Sequence, residues 1–163
     1  MSKLTLIDST QFILEGAFEK IRTVESLHLD EESIIKTIEK FKKSRVDQGI
    51  ALGELNDGFL MSPVIVEQDG EQKEVEQIVD LQKEPAFMIV DIWWESEKQS
   101  IFGKIIILDT EDGQKIKESI NQNAECFISA TETEIYTVMN KSDGKMYCRI
   151  SDIKGYKISI FNF

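Results

Sequence analysis

The sequence predicts an α+β fold: a small, mostly antiparallel β-barrel or curled sheet with two main helices packed on its outside. Three observations lead to this prediction. Apolar residues recur at helical spacing in only two convincing segments. Short runs rich in Val, Ile, Phe and Tyr, separated by polar turns, fill most of the remaining chain. The 163 residues contain no internal repeat and no Pro-rich linker, so 1–163 is expected to form a single domain.

The two helices are predicted at 31–44 and 112–122. The first has Asp30 as a suitable N-cap, acidic residues in its first turn and basic residues at its end. Its apolar residues recur every three or four positions: Ile34, Ile35, Ile38 and Phe41. The second helix lies in TEDGQKIKESINQ, where the helical spacing of Ile116 and Ile120 turns both toward the core.

Several apolar runs predict the strands of the sheet. TQFILEGAFEKIR is a strand signal interrupted by Gly16. AFMIVDIWWE and SIFGKIIILD are separated by the polar turn SEKQ and predict a hairpin that is buried on at least one side. Further short strands are expected in CFISA, EIYTVM, MYCRISD and YKISIFN. This number of short strands favours a barrel or curled sheet over alternating β and α units.

An acidic segment around 59–84 predicts a hairpin arm. SPVIVEQDGEQKEVEQIV alternates about a turn at Asp69 and Gly70, and 67–84 contains seven acidic residues and two lysines. Charge runs usually mark solvated surfaces. Val64 and Val66 alternate on a strand whose edge another chain could join, so the segment is predicted to be an interaction arm.

Composition excludes several function classes. The chain has 19 basic and 30 acidic residues, a formal charge of −11, which disfavours direct nucleic-acid binding and favours a partner with a basic face. No apolar run approaches the roughly 20 residues that cross a bilayer, so no membrane association is expected. Cys126 and Cys148 lie in strand-like runs without metal-ligand spacing. They are predicted to be reduced packing thiols, and neither a metal nor a cofactor is expected.

The residues alone assemble no catalytic set. Ser129 follows the apolar run CFI, but a serine hydroxyl needs a neighbouring base to become a nucleophile. The only histidine is His28, which is expected to be exposed in the polar turn before the first helix. Lys104 is expected on a strand, and Lys115 and Lys117 on the solvent side of a helix. None of these is an obvious base for Ser129.

Four segments, taken in order, resemble the successive motifs of the prohead maturation proteases of tailed bacteriophages. They are GIALGELNDG, VDIWWES, GKIIILDTEDGQKIKESI and FISATE. The resemblance covers roughly 11–163 and implies a fold similar to the herpesvirus assemblins. It also implies assembly in the host cytoplasm into a virion or prohead. The implied partners are other head, scaffold or virion proteins, or an active protease paralogue, and the particle setting leaves an oligomeric state open.

The chain departs from this family pattern at the residues that would carry catalysis. Gly53, Glu54 and Leu55 match, but the Asp-His-Pro that should follow is replaced by Asn56, Asp57 and Gly58. Counting back from the tryptophans places the family's catalytic histidine at Phe87.

In the last motif only the first serine matches. Ser129 aligns with that serine, and Ala130, Thr131 and Glu132 replace the second serine, the arginine and the glycine. Glu132 would add a negative charge where an oxyanion should form, which is the wrong sign for stabilising it. The resemblance therefore implies no catalytic residues, with vestigial positions at Phe87, Ser129, Ala130 and Thr131.

Three hypotheses follow for function. The first is a pseudoprotease that is not an enzyme and serves as a structural or assembly component of the head or its core. The second is an active serine-type maturation protease that cleaves scaffold and head proteins; it requires a titratable side chain within hydrogen-bond reach of Ser129. The third is an unrelated virion connector or decoration module.

Overall fold

The computed structural model describes residues 2–21, 27–56, 61–68, 70–78, 84–131 and 133–161. Its helices are α1 (Glu31–Phe41), which continues into a π-helical turn (Lys42–Val46), and α2 (Glu111–Asn121). Its strands are β1 (Ser2–Asp8), β2 (Ile13–Lys20), β3 (Leu27–Leu29), β4 (Leu52–Leu55), β5 (Met61–Gln68), β6 (Glu71–Ile78), β7 (Phe87–Glu95), β8 (Ser100–Ile107), β9 (Glu125–Ala130), β10 (Thr133–Met139), β11 (Met146–Ile153) and β12 (Tyr156–Phe161).

Seven strands close into a barrel in the order β1-β2-β8-β7-β4-β12-β9, and β9 pairs again with β1. Every pair in this barrel is antiparallel except β4 with β12, which is parallel. The predicted class, a mostly antiparallel barrel with two helices, is confirmed. The parallel pair was not predicted, because the two strands are far apart in the sequence.

Side chains alternate between the two faces of the barrel wall, as the period of a strand requires. The inward side chains come from every strand and form one buried cluster with the helices. Fully burying an isoleucine or leucine contributes about 1.5–3 kcal/mol. The inward residues are chiefly aliphatic: Leu4, Leu14, Ile89, Ile101, Ile105, Ile107, Ile128 and Ile158.

Both helices begin at the residues that local capping chemistry favours. The Asp30 carboxylate accepts a hydrogen bond from the Ser33 backbone N–H (3.1 Å) at the start of α1. The Thr110 hydroxyl accepts one from the Gly113 N–H (3.1 Å) at the start of α2. The predicted helices at 31–44 and 112–122 are therefore confirmed: α1 begins at the predicted residue and ends three residues early, where the π-helical turn takes over, and α2 is shifted by one residue. Their apolar faces are buried at Ile34, Ile38 and Phe41 in α1 and at Ile116 in α2.

A second sheet of three strands has the order β10-β11-β3 and packs against α1 through β11. It corrects the prediction for His28, which lies on β3 and not in a turn. β3 pairs in parallel with β11, and His28 is opposite Tyr147. The His28 side chain is exposed, as expected. A three-residue strand has almost no local signal, because its hydrogen bonds all go to a partner distant in the chain.

The segment around 59–84 contains an antiparallel hairpin of β5 and β6, which form a sheet of their own. Its pairing runs from Met61 opposite Ile78 to Gln68 opposite Glu71, and Gly70 in the turn has a positive φ of 77°. Asp69 lies outside the described residues. The role of this hairpin as an interaction arm, including Val64 and Val66, stays a prediction.

Candidate functional site

Ser129 lies on β9 with its side chain on the outer face of the barrel wall. Its neighbour Ile128 is fully buried on the inner face, whereas Ser129 is partly buried. The hydroxyl is thus held on a barrel strand at a surface that another chain could approach. This position is compatible with a nucleophile.

Lys157 of β12 lies directly opposite Ser129 in the strand register. The same lysine is the register partner of Glu54 on β4, on its other side. Register partners on adjacent strands have side chains on the same face of the sheet, and in an antiparallel pair such as β9 and β12 their Cβ atoms are about 4.5–5.5 Å apart. Ser129, Lys157 and Glu54 therefore form a continuous row across three adjacent strands on the outer face, which we call the outer polar row.

The outer polar row was missed by sequence reasoning. Alternation in YKISIF places Lys157 on the face opposite the buried Tyr156 and Ile158, but only the register shows what stands beside it. Within the described part of the chain, neither the Lys157 ammonium nor the Ser129 hydroxyl has a hydrogen bond or an ion pair. A further hydroxyl, that of the partly buried Ser159, lies two residues along β12 on the same face.

Phe87 lies on the other side of the barrel wall. Its side chain is 0% exposed and packs over Gly53, where an added Cβ would lie 2.0 Å from the Phe87 Cζ. Phe87 is therefore a core packing residue. Because Phe87 points inward and Ser129 outward, a histidine oriented like Phe87 would not meet the Ser129 hydroxyl. The assignment of Phe87 to the family's histidine position stays a prediction.

The remaining positions of the serine motif are also placed. Ala130 is partly buried opposite Tyr156, with its side chain against the core. Thr131 is exposed, and its N–H donates to the Gly155 carbonyl (2.9 Å). Asp57, Gly58 and Glu132 lie outside the described residues, so the expected effect of the Glu132 charge stays a prediction.

Both tryptophans of the VDIWWES segment are partly buried. Trp94 packs against the core, and its indole N–H donates to Glu31 of α1 (3.0 Å). Trp93 lies on the outer face beside Phe102 and donates to Glu95 (2.9 Å). Both tryptophans thus pack against neighbouring side chains, and each indole N–H has an acceptor, as buried indoles usually do.

A small polar cluster is formed by side chains of β2, β10 and β12. The Glu19 carboxylate accepts a hydrogen bond from the Thr133 hydroxyl (2.9 Å), and burial raises the pKa of Glu19. Burial, reinforced by the Glu19 charge, also raises the pKa of Tyr156. Among the described residues the Tyr156 hydroxyl has no hydrogen-bond partner. Tyr156 is buried, whereas Glu19 and Thr133 are partly exposed.

The two cysteines are free and buried, which confirms the predicted packing thiols. Burial raises the pKa of Cys126 to about 12 and also raises the pKa of Cys148. A thiol reacts as its thiolate, so neither cysteine is a candidate nucleophile. Over the described residues there is no group of three His, Cys, Asp or Glu side chains able to hold a metal. In that same part of the chain, no helix has the length and apolarity to span a membrane.

Known proteins match this chain by structure and not by sequence. By sequence, no family model and no curated protein matches the chain. Among solved structures, the chain is similar to the bacteriophage T4 capsid assembly protease, gp21. The similarity covers 89% of this chain and 80% of that chain, with 15% sequence identity and a TM-score of 0.47.

The expectation that the chain is not an enzyme is contradicted. The solved structure to which it is similar is that of a protease, and no observation on this chain shows that activity has been lost. The expectation rested on Phe87 in place of the family's histidine and on Ala130, Thr131 and Glu132 in place of the rest of its serine motif. Phe87 faces away from Ser129 in the barrel. The structure instead places a titratable side chain, Lys157, directly opposite the serine.

Proposed function

We propose that this chain is a serine-type prohead maturation protease of a tailed phage, with an assemblin-like fold and with Ser129 as its nucleophile. It acts in the prohead, in the host cytoplasm, and its partners are the scaffold and head proteins that it cleaves. One observation carries the proposal. Ser129, the residue that matches the family's serine, faces outward from a barrel strand beside a lysine and a glutamate.

The position of Ser129 suits attack on a macromolecular substrate. The outer face of β9 and β12 lies outside the barrel core, so an extended peptide can approach it without unfolding the barrel. The neighbouring inward residues Ile128 and Ile158 are fully buried and hold both strands in register. A rigid strand is a better support for a reacting group than a loop.

The test compares purified wild-type protein with Ser129→Ala and with Ser159→Ala as the matched control. Ser159 is a partly buried serine on the same outer face, one strand away. Each protein is incubated with scaffold and head proteins of the same phage, and separately with a serine-directed fluorophosphonate. We expect the wild type and Ser159→Ala to cleave and to be labelled, and Ser129→Ala to do neither.

Two results would contradict the proposal: absence of cleavage and labelling in the wild type, or cleavage by Ser129→Ala at the wild-type rate. Mass spectrometry of the labelled peptide identifies the modified residue. Labelling at a residue other than Ser129 would also count against the assignment.

A second candidate role, in head assembly through protein binding, is favoured by the surface of β10. This strand is at the edge of its sheet, and the apolar side chains of Ile135, Tyr136 and Met139 are 50%, 42% and 58% exposed. An exposed strand edge with apolar side chains is a site where another chain can add a strand. Replacing Ile135 and Met139 by lysine should reduce incorporation into proheads while cleavage by the purified protein is unchanged.

A further inference from the structure

We infer that Lys157 is the general base that activates Ser129. The inference rests on the proposed function and deepens it, because it names the residue that the family resemblance leaves missing. It also assigns a positioning role to Glu54, the third member of the outer polar row.

The strand register brings the two groups within reach. Lys157 and Ser129 are directly opposite on adjacent antiparallel strands, and both are partly buried on the outer face. A lysine side chain is longer than the spacing of about 4.8 Å between neighbouring strands, so its amine can reach a hydroxyl on the next strand. The lysine is not engaged elsewhere within the described residues.

The charged surroundings of Lys157 resemble the order of a catalytic triad. In such a triad a carboxylate lies on the far side of the base from the hydroxyl and stabilises the base when it becomes protonated. Glu54 on β4 occupies that far side, and Ser129 on β9 occupies the near side. The next charged groups along the chain, Lys154 and Asp152, pair with each other at 3.0 Å. Of the two residues that stand opposite Lys157 on its neighbouring strands, Glu54 carries the charge and Ser129 carries the hydroxyl.

The reaction that this arrangement supports is acyl transfer. The neutral Lys157 amine takes the proton of the Ser129 hydroxyl while the serine oxygen forms a bond to the substrate carbonyl carbon, and the carbonyl electron pair moves to its oxygen. When the carbon–nitrogen bond breaks, the Lys157 ammonium gives its proton to the leaving amine. Water then hydrolyses the ester: its proton passes to Lys157 and finally to the Ser129 oxygen, which restores both groups.

Two substitutions of Lys157 distinguish a general base from a residue that only contributes charge or packing. Lys157→Met removes the amine and keeps the apolar stem. Lys157→Arg keeps the charge but cannot accept a proton, because a guanidinium stays protonated at all relevant pH values. Both should lower the rate of substrate cleavage by about 10²- to 10⁴-fold, the usual contribution of general-base catalysis. Lys104→Met is the matched control, since Lys104 is an outward lysine on a barrel strand, paired with Glu15 at 3.9 Å; it should cleave at the wild-type rate.

The rate of fluorophosphonate labelling supplies a readout that does not depend on substrate binding. It should fall in Lys157→Met and in Lys157→Arg in the same proportion as the rate of cleavage, and it should be unchanged in Lys104→Met. Thermal melts check that each variant is folded, and Lys157→Arg decides the question if Lys157→Met does not fold.

The outcomes separate this inference from the proposed function. If Ser129→Ala abolishes cleavage but Lys157→Arg retains the wild-type rates of cleavage and labelling, Lys157 is not the base and the proposed function stands. If the wild type neither cleaves nor is labelled, the proposed function itself fails. Loss of cleavage and of labelling in both Lys157 variants, with both rates unchanged in Lys104→Met, supports the inference.

Discussion

Replacing Gly53 by alanine should destabilise the barrel because of the ring of Phe87. Gly53 on β4 is the register partner of Phe87 on β7. A Cβ built on Gly53 would lie 2.0 Å from the Phe87 Cζ and 2.4 Å and 2.5 Å from its Cε1 and Cε2 atoms. The ring is 0% exposed, and protein cores are packed as densely as crystals. The ring therefore has little room to move away from the added methyl group.

The expected loss in the free energy of unfolding follows from two known kinds of core substitution. Adding a methyl group to a well-packed core costs about 1–3 kcal/mol, which we expect for Gly53→Ala. Phe87→Ala removes a fully buried ring and should cost about 3–5 kcal/mol. In the double variant the new methyl group enters the space that the ring has left. The combined cost should then be smaller than the sum by roughly 1–3 kcal/mol, the range found for residues in contact.

Urea unfolding of the two single variants and the double variant, followed by circular dichroism and tryptophan fluorescence, measures this coupling. Gly16→Ala is the matched control. Gly16 is another barrel glycine, but its Cβ would lie 2.8 Å from the Lys3 carbonyl oxygen and not against Phe87. Its cost should therefore add to that of Phe87→Ala without coupling.

Additive costs for Gly53→Ala and Phe87→Ala would refute the reasoning. A neutral Gly53→Ala would do the same, and so would an unchanged melting temperature in Phe87→Ala. Each of these results would mean that the Phe87 ring does not lie inside the barrel over Gly53. The conclusion that Phe87 and Ser129 are on opposite faces of the barrel wall would then be wrong.

Two further predictions concern the interior and the hairpin. Burial raises the pKa of Glu19, so its contribution to stability is present below the unfolded-state pKa and is lost as pH rises through the folded-state pKa. Glu19→Gln should therefore be more stable than the wild type at about pH 8, and by a much smaller margin at about pH 4. The prediction is wrong if the urea midpoints of variant and wild type differ by the same amount at both pH values. Deleting 67–78 should leave the melting temperature of the domain nearly unchanged but reduce incorporation into proheads, and normal incorporation would show that the hairpin is not an interaction arm.

The parts of the fold that could be predicted are those governed by neighbours in the sequence. The first helix follows from an N-cap at Asp30 and from apolar spacing, both of which act within a few residues. The hairpin of β7 and β8 follows from two apolar runs joined by a short polar turn. Burial of Phe87 follows from its place in an apolar strand. In each case the deciding interactions are local, so the local sequence carries the signal.

The parts that could not be predicted depend on strands that meet across long stretches of chain. The strand at His28 exists because β11 pairs with it, and the parallel pair of β4 and β12 joins segments from opposite halves of the sequence. Neither pairing has a local signal, because the free energy that stabilises it is gained only when the barrel and the second sheet form.

The same division holds for the candidate site. The sequence by itself determined that Ser129 ends an apolar strand in a motif resembling that of phage maturation proteases, and that no histidine stands nearby in the chain. Alternation within a strand tells which face a side chain occupies, but not which side chain stands beside it. Only the tertiary structure decided that Lys157 lies beside Ser129 on the outer face while Phe87 lies behind the wall. The reason is that strand register is set by packing of the whole barrel.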